Sequence, residues 1–192
     1  MTDRSTRRTM LGRVGLLLGS SVVAGSATGA TIGPDGLHVQ PWFLQSFLDL
    51  REDVAAAAAV GKRLALVIEQ KGCVYCRDMH EVNLADPGTV AYIVERFEVL
   101  QLDLHGARPV TDTDGKELEE RVFARRARAI ATPTIIFLPR ELDAATSKPI
   151  TEVEVARMPG YLPPREFFAM FRYVAEEAYR QGSFQDYLRR AG

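Results

Sequence analysis

The only two cysteines of this 192-residue chain, Cys73 and Cys76, lie three positions apart. They follow a continuous apolar run at residues 64–68 and precede a segment compatible with a helix. At such a strand-to-helix junction Cys73 would lie at the helix N-terminus, where unpaired N–H groups and the helix dipole stabilise a thiolate. Cys76, one turn further on, would be within reach of Cys73 for a disulfide that opens and closes. The spacing therefore favours thiol–disulfide exchange.

Three other uses of a cysteine pair fit the sequence less well. A structural zinc site needs four ligands, and the chain offers only His38, His80 and His105 besides the cysteines, with no second pair at finger-like spacing. Covalent haem attachment needs a histidine directly after the second cysteine, where this chain has Arg77. A static disulfide would close a very short loop and so stabilise the fold little. We expect a redox pair and no metal or cofactor.

Two charged residues lie close to the pair. Glu69 ends the apolar run, and its carboxylate could take the proton of the inner thiol. A solvated strand end is the alternative interpretation, and the sequence slightly favours it. Lys71, two residues before Cys73, would support the thiolate, although an exposed charge does so weakly.

Length and composition indicate one domain. A chain of this length with 46% hydrophobic residues can bury one sizeable core and is short for two. The formal net charge of −1 gives no reason to expect a nucleic-acid partner. Two cysteines do not make a disulfide scaffold.

Residues 1–30 are typical of an export signal. Arg7 and Arg8 form a twin-arginine pair before an uncharged stretch, residues 14–34, that is rich in small residues. A membrane anchor is the rival, but so many small polar residues make a poor span. Removal of residues 1–30 takes away four arginines and one aspartate, which leaves 20 basic and 24 acidic residues and a charge of −4. We therefore expect an acidic domain in the periplasm, where thiols tend to be oxidised.

The remaining chain divides into a linker at residues 31–40 and one domain at residues 41–192. Within the domain the apolar patterns predict, in order, a helix from Pro41 to Gly61, the strand 64–68, the cysteine helix, a helix beginning at Pro87, and a strand over 97–104. A turn at 111–115, a helix over 116–128, a strand over 135–138, an antiparallel edge strand over 152–158, a long helix from Pro164 and a helical tail over 183–190 follow.

This order of elements resembles the thioredoxin fold over residues 41–181, with the cysteine pair opening a helix and Pro133 just before a strand. The resemblance implies an α/β fold with a central mixed sheet of about four strands flanked by helices, plus an extra N-terminal helix and a short C-terminal helix. It also implies that Pro133 is cis and packs against the cysteines, and that the backbone of Thr132 pairs with a substrate chain as an added strand. Val74, Tyr75 and Gly160 would complete the substrate-binding surface.

Within that family, four stretches look most like the periplasmic thioredoxins associated with bacterial sulfur oxidation, the SoxW-like group: residues 69–73, 76–80, 83–87 and 111–115. This resemblance implies a thiol:disulfide oxidoreductase kept reduced by a membrane thiol electron donor. The chain departs from the general family pattern at Gly72, where a tryptophan is usual, and at Val67, where members carry a buried aspartate. Glu69 or water would then take the proton of Cys76.

We therefore expect an exported reductase of protein disulfides in the periplasm. Cys73 would attack the substrate and Cys76 would resolve the mixed disulfide, which leaves a Cys73–Cys76 disulfide. One alternative is an oxidant or isomerase that uses the same cysteines. Another is a thioredoxin-fold adaptor that binds a partner around Pro133 and does not use its cysteines.

Overall fold

The fold was analysed in a computed structural model, which describes Met1, residues 30–143 and residues 145–191. Its strands are β1 (Thr31–Ile32), β2 (His38–Val39), β3 (Arg63–Glu69), β4 (Phe97–Asp103), β5 (Pro109–Thr111), β6 (Glu117–Glu119), β7 (Thr134–Phe137) and β8 (Ala156–Pro159). Its α-helices are α1 (Leu50–Ala59), α2 (Val74–Asp78), α3 (Pro87–Arg96), α4 (Glu120–Arg126), α5 (Ile150–Val153), α6 (Pro164–Ala175) and α7 (Phe184–Ala191). A π-helical turn, Met79–Asn83, continues α2, and a 3₁₀ turn, Ala178–Arg180, follows α6.

The central sheet has four strands in the order β4-β3-β7-β8. Strand β3 runs parallel to β4 and antiparallel to β7, and β8 is an antiparallel edge strand. All seven residues of β3 are buried, as expected for a central strand whose apolar run shows no polar alternation. The predicted mixed sheet and thioredoxin fold are confirmed.

The two faces of β3 carry separate cores because successive side chains of a strand point to opposite faces. Ala65 and Val67 belong to a cluster formed with the π-helical turn, α3 and α6. Leu64, Leu66 and Ile68 belong to a second cluster, formed with α1 and α4. Helices therefore cover the sheet on both sides, and side chains at odd positions of β3 face the helix that carries the cysteines.

Local signals in the sequence explain where several helices begin. Helix α3 starts at Pro87 as predicted, and the carboxylate of the preceding Asp86 accepts a 2.7 Å hydrogen bond from the backbone N–H of Thr89. Helix α6 likewise begins at Pro164, and it buries Phe167, Phe171 and Val174 along one stripe.

Three predicted boundaries were wrong. Residues 41–49 are not helical, because Asp49 caps the helix and fixes its start at Leu50. The first part of the predicted helix over 116–128 forms strand β6, which pairs with β5 across the turn at Asp112–Gly115. The predicted edge strand over 152–158 begins only at Ala156, because Ile150–Val153 form a helical turn.

Residues 31–40, expected to be a linker, pack against the domain. Strands β1 and β2 pair as a small antiparallel hairpin. Leu37 and Gln40 are 1% and 4% exposed, and Phe43, which follows, is 4% exposed. Within the described residues no helix combines the length and apolar character needed to cross a bilayer. The predicted export signal lies almost entirely in residues 2–29, outside the described residues.

Candidate redox site

Cys73 lies where strand β3 gives way to helix α2. Gly72 has a positive φ of 73°, which glycine adopts without strain, and it turns the chain into the helix. Cys73 is the N-cap of α2, and its Sγ accepts a 3.0 Å hydrogen bond from the backbone N–H of Cys76. The first N–H groups of the helix thus point towards this sulfur. The predicted position of Cys73 at a helix N-terminus is confirmed.

Cys73 and Cys76 form a disulfide, with their Cα atoms 5.2 Å apart. The two residues differ in exposure: Cys73 is half-buried, whereas Cys76 is 1% exposed. A reacting molecule can therefore approach Cys73, while Cys76 is shielded by the protein.

The loop before β7 lies against Cys73. The Thr132–Pro133 peptide bond is cis, and Pro133 is buried. The Thr132 hydroxyl donates to the Sγ of Cys73 at 3.3 Å, and the Thr132 carbonyl oxygen is 3.5 Å from the same sulfur. The backbone N–H of Gly160 donates to the carbonyl oxygen of Pro133 at 2.8 Å. The structure thus places Thr132 against Cys73, with Pro133 next to it in the loop and Gly160 bonded to Pro133.

An exposed apolar surface adjoins the disulfide. Val74 and Tyr75 are 56% and 61% exposed, and the Tyr75 ring stacks on that of Tyr161 at a centroid distance of 6.2 Å. Burial, reinforced by the negative charge of Asp78, raises the pKa of Tyr161. Its hydroxyl therefore stays protonated and donates to Oδ1 of Asn83 at 3.1 Å. The sequence prediction missed Tyr161, although it directly follows Gly160.

Glu69 is buried, so the preferred interpretation of a solvated strand end was wrong. Its side chain is 0% exposed. Glu69 shares the face of β3 that carries Ala65 and Val67, and the N-terminal segment covers that face at the strand end. Its Oε1 is 2.9 Å from Nε2 of His80, and its Oε2 accepts a 2.8 Å hydrogen bond from Nε2 of Gln101. A buried carboxylate needs such partners.

Sequence reasoning missed the residues that surround Glu69. His80 was considered only as a zinc ligand, yet it lies four residues after Cys76, which is helical spacing for one face. Gln40 and Gln101 are far from the cysteines in sequence, and only the fold brings them to this place. Among the described residues, no group of three or more His, Cys, Asp or Glu side chains has an arrangement suited to a metal ion.

Lys71 is exposed beside the pair. Its methylene groups run along Gly36 in the β1–β2 turn, so closely that a Cβ on Gly36 would lie 2.9 Å from Cδ of Lys71. The side chain therefore helps to dock the N-terminal hairpin next to the site. Any support that its charge gives to a Cys73 thiolate is weakened by solvent.

The arrangement is suited to thiol–disulfide exchange. It holds one accessible sulfur at a helix start, a second sulfur in reach and shielded, and a buried carboxylate with fixed hydrogen-bond donors. A thiolate at Cys73 can attack a disulfide, and Cys76 can then displace the bound partner.

Several solved structures are similar to this chain. A thioredoxin from Thermus thermophilus is 28% identical over 66% of this chain and 83% of that protein, with a TM-score of 0.49. A thioredoxin-fold protein from Helicobacter pylori is 21% identical over 68% of this chain and 80% of that protein, with a TM-score of 0.48. The C-terminal domain of DsbD from Neisseria meningitidis, in the reduced form, is 16% identical over 64% of this chain and 90% of that domain, with a TM-score of 0.42.

No curated protein matches the chain. The model of the thioredoxin-like domain matches residues 50–175, which is well over half of the sequence and includes both cysteines, Pro133 and Gly160. The chain therefore belongs to the thioredoxin-like domain family.

Proposed function

We propose that this protein is an exported thiol:disulfide oxidoreductase that reduces disulfides of periplasmic proteins. The observation that carries the proposal is the disulfide between a half-buried Cys73 at a helix N-terminus and a fully buried Cys76, with Thr132 of the cis Thr132–Pro133 peptide against the outer sulfur. Accessible low-pKa cysteines are typically found at such helix starts, whereas buried structural cysteines are inert.

The reaction has two steps, and each exchanges one S–S bond for another. The Cys73 thiolate attacks a substrate disulfide, so that a Cys73–substrate bond forms and the other substrate sulfur leaves as a thiolate. Cys76 then loses its proton and attacks Cys73, so that the Cys73–Cys76 bond forms and the second substrate sulfur leaves. The dithiol loses two electrons and the substrate disulfide gains them.

The surface around Cys73 would bind the substrate chain. Val74 and Tyr75 offer exposed apolar contacts, and the backbone near Thr132 and Gly160 would pair with an extended peptide. Glu69 would accept the proton of Cys76, because it is the buried carboxylate on the face of β3 towards the cysteine helix.

The proposed periplasmic location rests on the export signal in the sequence, and the proposed membrane electron donor rests on the family resemblance. Arg7 and Arg8 begin an export signal over residues 1–30, and a membrane thiol donor would restore the dithiol after each turnover. The likeness to the SoxW-like group supports the same partners. Replacement of both arginines by lysine should leave the protein in the cytoplasmic fraction of cells. Export unchanged by that replacement would contradict the signal.

The reductase activity is tested by reduction of insulin disulfides and by the reduction potential of the Cys73–Cys76 couple. A reductase should have a potential near that of thioredoxin, about −270 mV, whereas a strong oxidant would lie near about −120 mV. A potential close to that of the strong oxidant would show that the protein is an oxidant and not a reductase. A pair that reacts with iodoacetamide no faster than ordinary thiols would favour the adaptor.

A further inference from the structure

A buried polar network lies on the inner side of the disulfide. His80 is 1% exposed, and its Nε2 contacts Oε1 of Glu69 at 2.9 Å while its Nδ1 contacts Nε2 of Gln40 at 3.2 Å. Gln101 bonds the other oxygen of Glu69. All of these groups except Gln101 are at most 4% exposed, so each depends on the others for its hydrogen bonds.

The protonation pattern of the network follows from Gln101. Its Nε2 lies 2.6 Å from the carbonyl oxygen of His38 and 2.8 Å from Oε2 of Glu69. A carbonyl oxygen only accepts, so the amide end that faces it must be the nitrogen. This nitrogen carries two N–H groups and donates to both partners. Glu69 therefore accepts at Oε2, and it accepts again at Oε1 when Nε2 of His80 carries a proton. The network suits an ionised Glu69.

Gln40 allows the network to take up one more proton. With its amide nitrogen towards Nδ1, as in the structure, Gln40 donates and His80 is neutral with its proton on Nε2. A flip of the Gln40 amide would present its oxygen instead, and Nδ1 could then hold a second proton with a partner. The Glu69–His80 pair can thus gain a proton without losing a hydrogen bond.

Cys76 lies on the same side of the sheet as this network. The buried residues of α2 and its π-helical continuation are Cys76, Met79, His80 and Asn83. The last three lie three, four and seven positions after Cys76, a spacing that places all four residues on one inward side of the helix. Met79 packs in the core cluster that includes Val67, which lies on the same face of β3 as Glu69. Cys76 and the pair therefore share one side of the sheet.

The N-terminal segment covers the buried network around His80. His38 and Phe43 place their rings 5.6 Å from the ring of His80, and Gln40 supplies the partner of Nδ1. All three precede residue 50, where the match to the thioredoxin-like domain begins. The shield over His80 is thus made by an extension of this chain outside that match.

We propose that His80 is a positioning residue of the dithiol centre. It holds the carboxylate of Glu69 in place and shares the proton that Glu69 takes from Cys76. Residues 31–43 shield this pair from solvent. The inference rests on the proposed function, because it concerns the second step of that reaction. In that step the Cys76 proton passes to the Glu69–His80 pair, Cys76 bonds to Cys73, and the departing substrate thiolate or water later takes up the proton.

Other ionisable groups near the pair bear on its pH dependence. They are His38 beside the ring of His80, Asp103 opposite Glu69 in β4, Lys71 on Gly36, and the Arg108–Glu120 pair, which bonds the backbone of Gln101 and Asp103. His38 is the only one of these with a ring against His80 among the described residues.

The test separates the two steps with the full-length reduced protein and dithiobis(nitrobenzoate), whose leaving thiolate is coloured. One thiolate is released when Cys73 attacks, and a second when Cys76 resolves the adduct. In His80→Gln we expect the second phase to slow about tenfold at neutral pH and to change its pH profile, because the proton acceptor is less well held. The first phase should change by less than about twofold, since Cys73 does not contact the pair.

His105→Gln is the matched control, because His105 is exposed and, among the described residues, its imidazole ring bonds only Gln70. It should leave both phases and their pH profiles as in wild type. If His80→Gln does not fold, Gln40→Met removes only the partner of Nδ1 and should slow the second phase about threefold. A second phase with wild-type rate and pH profile in the folded variant would overturn the inference. A slow first phase in wild type would instead overturn the proposed function.

Discussion

The two sulfurs of one disulfide lie in opposite environments. Around Cys73 the protein presents open apolar side chains, Val74 and Tyr75, and a loop that contacts the sulfur through Thr132. On the side of Cys76 it presents a closed set of polar groups centred on Glu69 and His80. In the proposed function this difference gives the two sulfurs different roles: Cys73 would attack the substrate, and Cys76 would depend on the protein for the removal of its proton.

The largest effect is expected from the cysteines themselves. Cys73→Ser should lower insulin reduction roughly 1000-fold or more, because it removes the nucleophile. Cys76→Ser should also stop turnover. Cys73 of this variant should still attack substrate disulfides, so covalent mixed disulfides should accumulate. Non-reducing electrophoresis shows the difference. Adducts that accumulate in the Cys73 variant instead would reverse the assigned roles.

The next largest effect is expected at Glu69. Glu69→Gln keeps the shape of the side chain but removes the proton acceptor, so the resolving step should slow about 100-fold while the attack by Cys73 is nearly unchanged. The two coloured phases with dithiobis(nitrobenzoate) measure both steps.

Glu98→Gln is the control for loss of a paired carboxylate. Glu98 bonds Lys62 at 2.7 Å at the other end of β4. It should leave both phases unchanged. Equal effects of the two substitutions would mean that Glu69 matters only for stability.

A smaller effect is expected at Thr132, which lies beside the exposed sulfur of Cys73. Thr132→Val removes the hydroxyl that donates to the Sγ of Cys73 and preserves the size of the side chain. Loss of one hydrogen bond to the thiolate should slow alkylation of Cys73 about fivefold at neutral pH. The resolving step should be affected less. An unchanged alkylation rate would show that the helix start alone stabilises the thiolate.

The smallest effects are expected from alanine substitutions at Gly72 and Gly61, and comparing the two separates an effect on stability from an effect on activity. Gly72 and Gly61 have similar positive φ values of 73° and 77°, and a Cβ at either position would meet no atom within 4 Å. Alanine at each should therefore cost about 1 kcal/mol of unfolding free energy, measured by urea denaturation. Only Gly72→Ala should also alter the reactivity of Cys73. Equal activity in both variants would show that the turn at Gly72 does not tune the sulfur.

Sequence patterns predicted the outer side far better than the inner side. The continuous apolar run predicted β3, and Cys73, Thr132 and Pro133 occupy positions that local spacing and the family resemblance indicated. The strand and the helix start depend on neighbours in the chain, whereas the position of Thr132 and Pro133 beside Cys73 was indicated only by the family resemblance. Strand β6 was missed because its three residues are too short to show alternation next to a charged helix.

The inner network could not be predicted because its members come from distant segments. A glutamate at a strand end is usually solvated, and nothing local shows that residues 31–43 fold back over Glu69. Gln40 and Gln101 are ordinary polar residues in the sequence, and their role depends on the register of β3 with β4 and on the packing of the hairpin. Burial of this kind is a property of the whole fold.

The most direct test of the division between the two sulfurs is a brief pulse of iodoacetamide on the fully reduced protein at neutral pH, with the labelled cysteine identified by mass spectrometry. The account predicts rapid labelling of Cys73 alone, faster than a free thiol of ordinary pKa, while Cys76 stays unlabelled until the protein is unfolded. Equal labelling of both cysteines, or labelling of Cys76 first, would contradict it.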